Sequence, residues 1–127
     1  MTTLLICALV AVLLPYLAKL PVAIEMNKLG GYDNRHPRAQ QAKLEGFGAR
    51  ALAAHQNSFE SLIVFSVALA VVLGSNNVNA VTEYLAITHI IARILYCVFY
   101  YMNIDKLRSL VWLVGIGSAV GMIGVSI

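Results

Sequence analysis

The residues able to do chemistry lie in two apolar stretches of the chain. In the first, Arg50, Ala54, Asn57 and Ser61 follow a 4-3-4 spacing that puts them on one helix face, and Glu60 lies beside Asn57 three positions on. In the second, His89, Arg93, Tyr96 and Tyr100 repeat the same 4-3-4 spacing. An ionisable side chain at the centre of a bilayer costs roughly 3 kcal/mol or more, so it faces a bundle interior and takes a partner. Glu60 and Arg93 lie about ten and twelve residues from the corresponding ends of their helices, which at about 1.5 Å per residue gives them similar depths. An ion pair between them is therefore the expected contact. Two roles are open to it: pinning two helices together, or lining a site. Tyr96 and Tyr100 are either interfacial aromatics or, for Tyr96 above all, a hydroxyl beside Arg93. His55 and His89 read as hydrogen-bonding residues between helices, because two histidines on different helices with no carboxylate at ligand spacing do not make a metal site. Cys7 and Cys97 each fall in an apolar segment and read as small buried residues rather than a disulfide, a metal pair or a nucleophile.

The elements that must position these side chains follow from composition. Hydrophobic residues make up 60% of the 127-residue chain and charged residues 12%, about half the charged share of an average soluble domain. Mean hydropathy is +0.79. So apolar a chain has no room in water for its surface, whereas a bilayer accepts it. The net charge of +3 comes without a dense basic run or an aromatic platform, which excludes a nucleic-acid binder. Four spanning segments are predicted, at residues 4–24, 50–73, 80–101 and 108–127, forming one domain over 1–127 and an all-α, integral membrane four-helix bundle. Pro15 marks a kink in the first. That segment reads as a span rather than a cleaved leader, since no positive charge follows Met1 and no small-x-small cleavage site is evident. The second segment is the informative one. Its clean apolar core, Leu62 to Leu73, is too short to span, since a crossing needs about 20 residues. The helix must extend back through Glu60, Asn57 and His55 towards Arg50, and so draws polar residues into the membrane. Gly115, Gly117, Ser118, Ala119, Gly121 and Gly124 in the last segment read as close-packing positions.

Loop charge sets the expected orientation. Lys28, Arg35, Arg38, Lys43 and Arg50 lie in or at the end of the first connection, and Lys106 and Arg108 in the third, while the middle turn and the C-terminus carry none. The positive-inside rule places loops 25–49 and 102–108 in the cytoplasm and both termini on the far side. Short loops and a short chain suit a bacterial inner membrane. No inverted repeat or broken helix pair supports a transporter.

The run Arg50-Ala51-Leu52-Ala53-Ala54-His55-Gln56-Asn57-Ser58-Phe59-Glu60 resembles the second-helix signature of the MAPEG family, the membrane-associated proteins in eicosanoid and glutathione metabolism, with Arg50, Ala54, Asn57 and Glu60 matching. Ala92-Arg93-Ile94-Leu95-Tyr96, with Tyr100 four on, is similar to the family's third helix, and Leu107-Arg108-Ser109-Leu110-Val111-Trp112 to the start of the fourth in bacterial members. The resemblance implies a four-helix protomer assembled as a homotrimer. It implies glutathione as co-substrate, bound between protomers towards the cytoplasmic side and conjugated to hydrophobic electrophiles or used to reduce lipid hydroperoxides. By position, Arg50, Asn57, Glu60, Arg93, Tyr96 and Tyr100 would form the glutathione site, with Arg108 and Tyr96 in the catalytic role of favouring the thiolate. No metal is expected. Three positions depart from the family pattern: Ala53 replaces a second arginine, Ser61 replaces an aromatic, and Leu107 occupies the place of a thiolate-stabilising arginine, with Arg108 one residue on. The competing class is a non-catalytic lipid- or partner-binding protein on the same scaffold.

Overall fold

The computed structural model describes residues 1–127 and is all-helical, in the order α1 (Thr2–Asn27), α2 (Pro37–Gln41), α3 (Gly46–Gly74), α4 (Ala80–Tyr101) and α5 (Asp105–Gly124). Four of these are long and apolar enough to cross a membrane, and α2 is a single turn in the first loop. α3 starts four residues before the expected Arg50, after Glu45 in extended conformation. At 29 residues it is about 43 Å long against a hydrocarbon core of about 30 Å, so its first turns project beyond the apolar layer. The last span, expected over 108–127, begins at Asp105, after the extended Ile104, and ends at Gly124. α1 runs unbroken through Pro15 and Pro21. Its single buried stripe, Leu4, Cys7, Ala11, Pro15, Ala18, Val22 and Met26, keeps one face against its neighbours from end to end.

Local chemistry fixes the turns. Asn79 caps α4, its side-chain oxygen accepting from the Val81 and Thr82 amides at 2.9 and 3.1 Å while its own amide donates to Thr82 Oγ1. Asn76 and Asn103 take left-handed φ values of 58° and 59° just past the ends of α3 and α4. In each case the next amide reaches back to the helix, Asn77 to the Val72 carbonyl and Ile104 to that of Phe99. In the long loop the Asp33 carboxylate accepts from the amides of Arg35 and His36, both at 3.0 Å. These bonds, that of His36 foremost, hold its carboxyl below the usual carboxylate range. The buried Gln40 side chain closes the same loop, accepting from the Asp33 amide and donating to the Gly31 carbonyl.

α1 packs on α3 and α4 on α5, and α3 joins the two pairs. The largest apolar cluster holds Leu4, Cys7, Phe65, Val72, Ala86, Ile90 and Met122 and fills the end of the bundle opposite the long loop. Towards the loop the core thins to Val22, Met26 and Ala51, beside a small cluster of Ala54, Tyr96 and Cys97. Gly48 marks the tight crossing there, since a Cβ on it would lie 3.1 Å from Leu44 Cδ2 and 3.3 Å from Glu25 Cβ. Gly48→Leu is expected to cost about 1–3 kcal/mol by overpacking, read as a lowered midpoint of thermal unfolding in detergent. An unchanged midpoint would show that the crossing can open.

Candidate functional site

The polar residues of α3, α4 and α5 meet in the thin half of the core. Arg93 is 3% exposed. Its Nη2 donates to Asn57 Oδ1 at 2.7 Å, and Asn57 Nδ2 donates in turn to Glu60 Oε2 at 2.7 Å. The expected direct ion pair between Glu60 and Arg93 is thus not formed; Asn57 stands between the two charges and bonds to each. On its other side the Arg93 guanidinium lies 4.1 Å from the centre of the Tyr96 ring. Tyr96 meets Tyr100 edge to face at 5.5 Å, and the Arg108 guanidinium lies 4.3 Å from the Tyr100 ring centre. One line of contacts therefore runs Glu60, Asn57, Arg93, Tyr96, Tyr100, Arg108, from the middle of the bundle to the start of α5.

Of the residues expected to act together, only Arg50 stands outside this line. It lies two turns before Asn57 on α3, half-buried, with its guanidinium 5.8 Å from the Phe47 ring and its Nε without a hydrogen-bond partner. Phe47 itself packs on Tyr101. Arg50 therefore sits at the loop end of the bundle with hydrogen-bonding capacity to spare.

Beside the line is a pocket of about 190 Å³ lined by Asn57, Glu60, Ser61, Val64, His89, Arg93, Trp112 and Ile116. Both histidines bond between helices, as their isolation in the sequence suggests. His55 Nδ1 bonds the Pro15 carbonyl at 2.7 Å, tying α3 to α1 at the proline. His89 Nδ1 bonds the Gly115 carbonyl at 2.8 Å, its Nε2 lies 3.2 Å from Ser61 Oγ, and its ring stacks on Phe65. A backbone carbonyl only accepts, so each Nδ1 carries the proton. Spacing alone placed Ser61 and His89 on the two polar stripes but gave no sign that they bond to each other. Trp112 entered the sequence reading only as the end of the Leu107-to-Trp112 run, with no sign that it lines a pocket. No group of three or more metal-ligating side chains is present.

A family model of the MAPEG family matches residues 3–127. The chain belongs to the MAPEG family. Comparison with curated proteins found no match, and comparison with solved structures found none. Membership and the four apolar helices together make the chain an integral membrane protein. Within this MAPEG chain the signature residues Glu60 and Arg93 are each bonded to Asn57, while Tyr96, Tyr100 and Arg108 continue from them by ring contacts.

Proposed function

We propose that this protein is a glutathione-dependent transferase or peroxidase of the membrane, acting on hydrophobic electrophiles or lipid hydroperoxides as a homotrimer. The observation that carries the reading is the unbroken line from Glu60 to Arg108. It presents a carboxylate at one end and a cation with two tyrosines at the other, and Arg50 lies free near the loop end. Glutathione has one ammonium, two carboxylates and a thiol. Glu60 is an acceptor suited to the ammonium, and the half-buried Arg50 guanidinium at the loop end is suited to a carboxylate. Arg108, with the Tyr100 and Tyr96 hydroxyls as donors, suits the thiolate, which a nearby positive charge stabilises over the thiol. Arg93 is committed to Asn57 and Tyr96, so its part is to hold the line straight.

Assembly is supported by Glu60 itself. Its side chain is exposed on the protomer at mid-helix, where contact with lipid would cost several kcal/mol. A second copy covering that face removes the cost and encloses the site. In the same reading the basic loops face the cytoplasm of a bacterial inner membrane, the termini lie on the other side, and Lys28, Arg35, Arg38 and Lys43 attract the anionic co-substrate.

Isothermal titration of the detergent-purified protein with glutathione tests the proposal, alongside Arg50→Ala and Glu60→Gln. Saturable binding is expected, weakened about tenfold or more by either change, the loss typical of one charge-assisted hydrogen bond. No heat of binding at millimolar glutathione would remove the co-substrate and leave the competing class, a non-catalytic binder of lipid or protein on this scaffold.

A further inference from the structure

We infer that the cleft between α1, the first loop and α3 holds the phosphate of an anionic phospholipid, whose acyl chains lie along α1. The cleft measures about 410 Å³ and is lined by Tyr16 and Lys19 from α1, Tyr32 from the loop, Arg38 from α2, and His55 and Phe59 from α3. None of the residues in the line from Glu60 to Arg108 takes part in it.

Lys19 shows why an anion is needed. It is a cation in a helix long and apolar enough to cross a membrane, with its Cα about 12 Å short of the end of α1 at Asn27. Its Nζ donates to Gln41 Oε1 at 2.9 Å and lies 3.8 Å from Met26 Sδ. The side chain therefore runs along α1 towards the loop and carries its charge to the level of the lipid head groups. Both of its partners are neutral. Arg38 lines the same cleft, and neither cation has a carboxylate within ion-pair distance. Glu25 pairs instead with Lys28, Asp33 accepts from the Arg35 and His36 amides, and Glu60, next to Phe59 on α3, bonds to Asn57. Two like charges at the edge of an apolar layer, with no counter-charge from the chain, call for an anion from outside.

The neighbouring surface decides what carries that anion. Tyr16 and Phe59 meet edge to face at 5.5 Å on the side of the cleft away from the loop. From Tyr16, Val12 and Leu9 continue along one face of α1 into the membrane, both exposed. A phosphate between Lys19 and Arg38 thus has an apolar track for the chains attached to it, which a free phosphate does not use. The Tyr16 and Tyr32 hydroxyls add donors for phosphate oxygens. Three aromatic rings also suit a quaternary ammonium, but Lys19 and Arg38 repel one in the same cleft. A head group with net negative charge is therefore favoured over a zwitterionic one.

The test is native mass spectrometry of the detergent-purified, delipidated protein, titrated with phosphatidylglycerol or with phosphatidylcholine of the same chains. Saturable binding of phosphatidylglycerol is expected, about tenfold or more tighter than that of phosphatidylcholine. Lys19→Met and Arg38→Gln should each weaken it about tenfold or more, the loss of one charge-assisted contact. Lys106→Gln, which removes a charge from the other connection at the same end of the bundle, should leave it unchanged. Arg38 is exposed on the single-turn α2, so its variant serves if Lys19→Met does not give a monodisperse protein. Equal binding of the two lipids, or an equal loss in Lys106→Gln, would overturn the site in favour of general attraction to basic loops. Displacement of phosphatidylglycerol by millimolar inorganic phosphate would overturn the lipid as the source of the anion. Displacement by millimolar glutathione would give the cleft to the co-substrate instead. Glutathione enters only as a competitor, so failure of the co-substrate reading leaves the lipid result standing.

Discussion

Asn57→Ala is expected to destabilise the protein by about 3 kcal/mol, more than any other single change at the site, because it strands Arg93 as a buried cation. The magnitude separates two accounts of Asn57. If it merely contributed one interhelical hydrogen bond, the loss would be about 0.6 kcal/mol, the average for such bonds inside membranes. Asn57 does more, since it accepts from Arg93 and donates to Glu60, each at 2.7 Å, and is the sole link between two charges that do not touch. Glu60→Gln should be far milder, because the Gln oxygen can still accept from Asn57 Nδ2 and residue 60 is exposed on the single chain. Arg93→Met on the Asn57→Ala background should recover part of the loss, since it removes the stranded charge. Unfolding in one detergent, followed for the single and double variants, reads all three. An Asn57→Ala protein within about 0.6 kcal/mol of wild type would reduce the residue to an ordinary bond.

The expectation of a direct Glu60–Arg93 pair failed for a reason that spacing can state. Depth along a helix follows from a residue count, but direction around it depends on the neighbours. The buried face of α3 runs through Ala51, Ala54, Ser58, Phe65, Ala68 and Val72. At about 100° per residue, Asn57 and Ser61 lie at the edge of that face, whereas Glu60 lies about 60° beyond Asn57 on the far side. Equal depth therefore brought the right helices together, and only the buried stripe shows that Asn57 must reach across. The four membrane segments were legible because apolar length is a strong signal. The start of α3 was not, since two glycines in its first turn, Gly46 and Gly48, weaken the helical signal there. The five-residue α2 was likewise hidden in a loop whose conformation is set by Asp33 and Gln40. The Ser61–His89–Gly115 connection lay beyond reach for another reason: one of its partners is a backbone carbonyl, which sequence does not distinguish from any other.

Under the proposed chemistry, Arg108→Leu should lower turnover at neutral pH about a hundredfold and weaken glutathione binding as well, because a group that lowers the pKa of the bound thiol also tightens its binding. Removing a single group that stabilises developing or ground-state negative charge in a dry site typically costs that much in turnover. Arg108 is placed for it, at the loop end of the line, half-buried and 4.3 Å from the Tyr100 ring centre. The direction with pH follows from the thiol. A free thiol ionises near pH 8.5, and a neighbouring cation lowers that value. Without Arg108 the bound thiol returns towards its free value, so less of it is thiolate at neutral pH and the deficit shrinks as pH rises. Arg108→Lys keeps the charge and should retain most of the rate, whereas Tyr100→Phe, which keeps the ring beside Arg108 and removes only the hydroxyl, should cost less than Arg108→Leu. The measurement is the initial rate of conjugation against pH for the wild type and the three variants, with the thiolate absorbance of bound glutathione followed in parallel. A profile for Arg108→Leu that falls uniformly at every pH would assign Arg108 to holding Tyr100 in place, and would leave the tyrosine hydroxyls as the groups that face the sulfur.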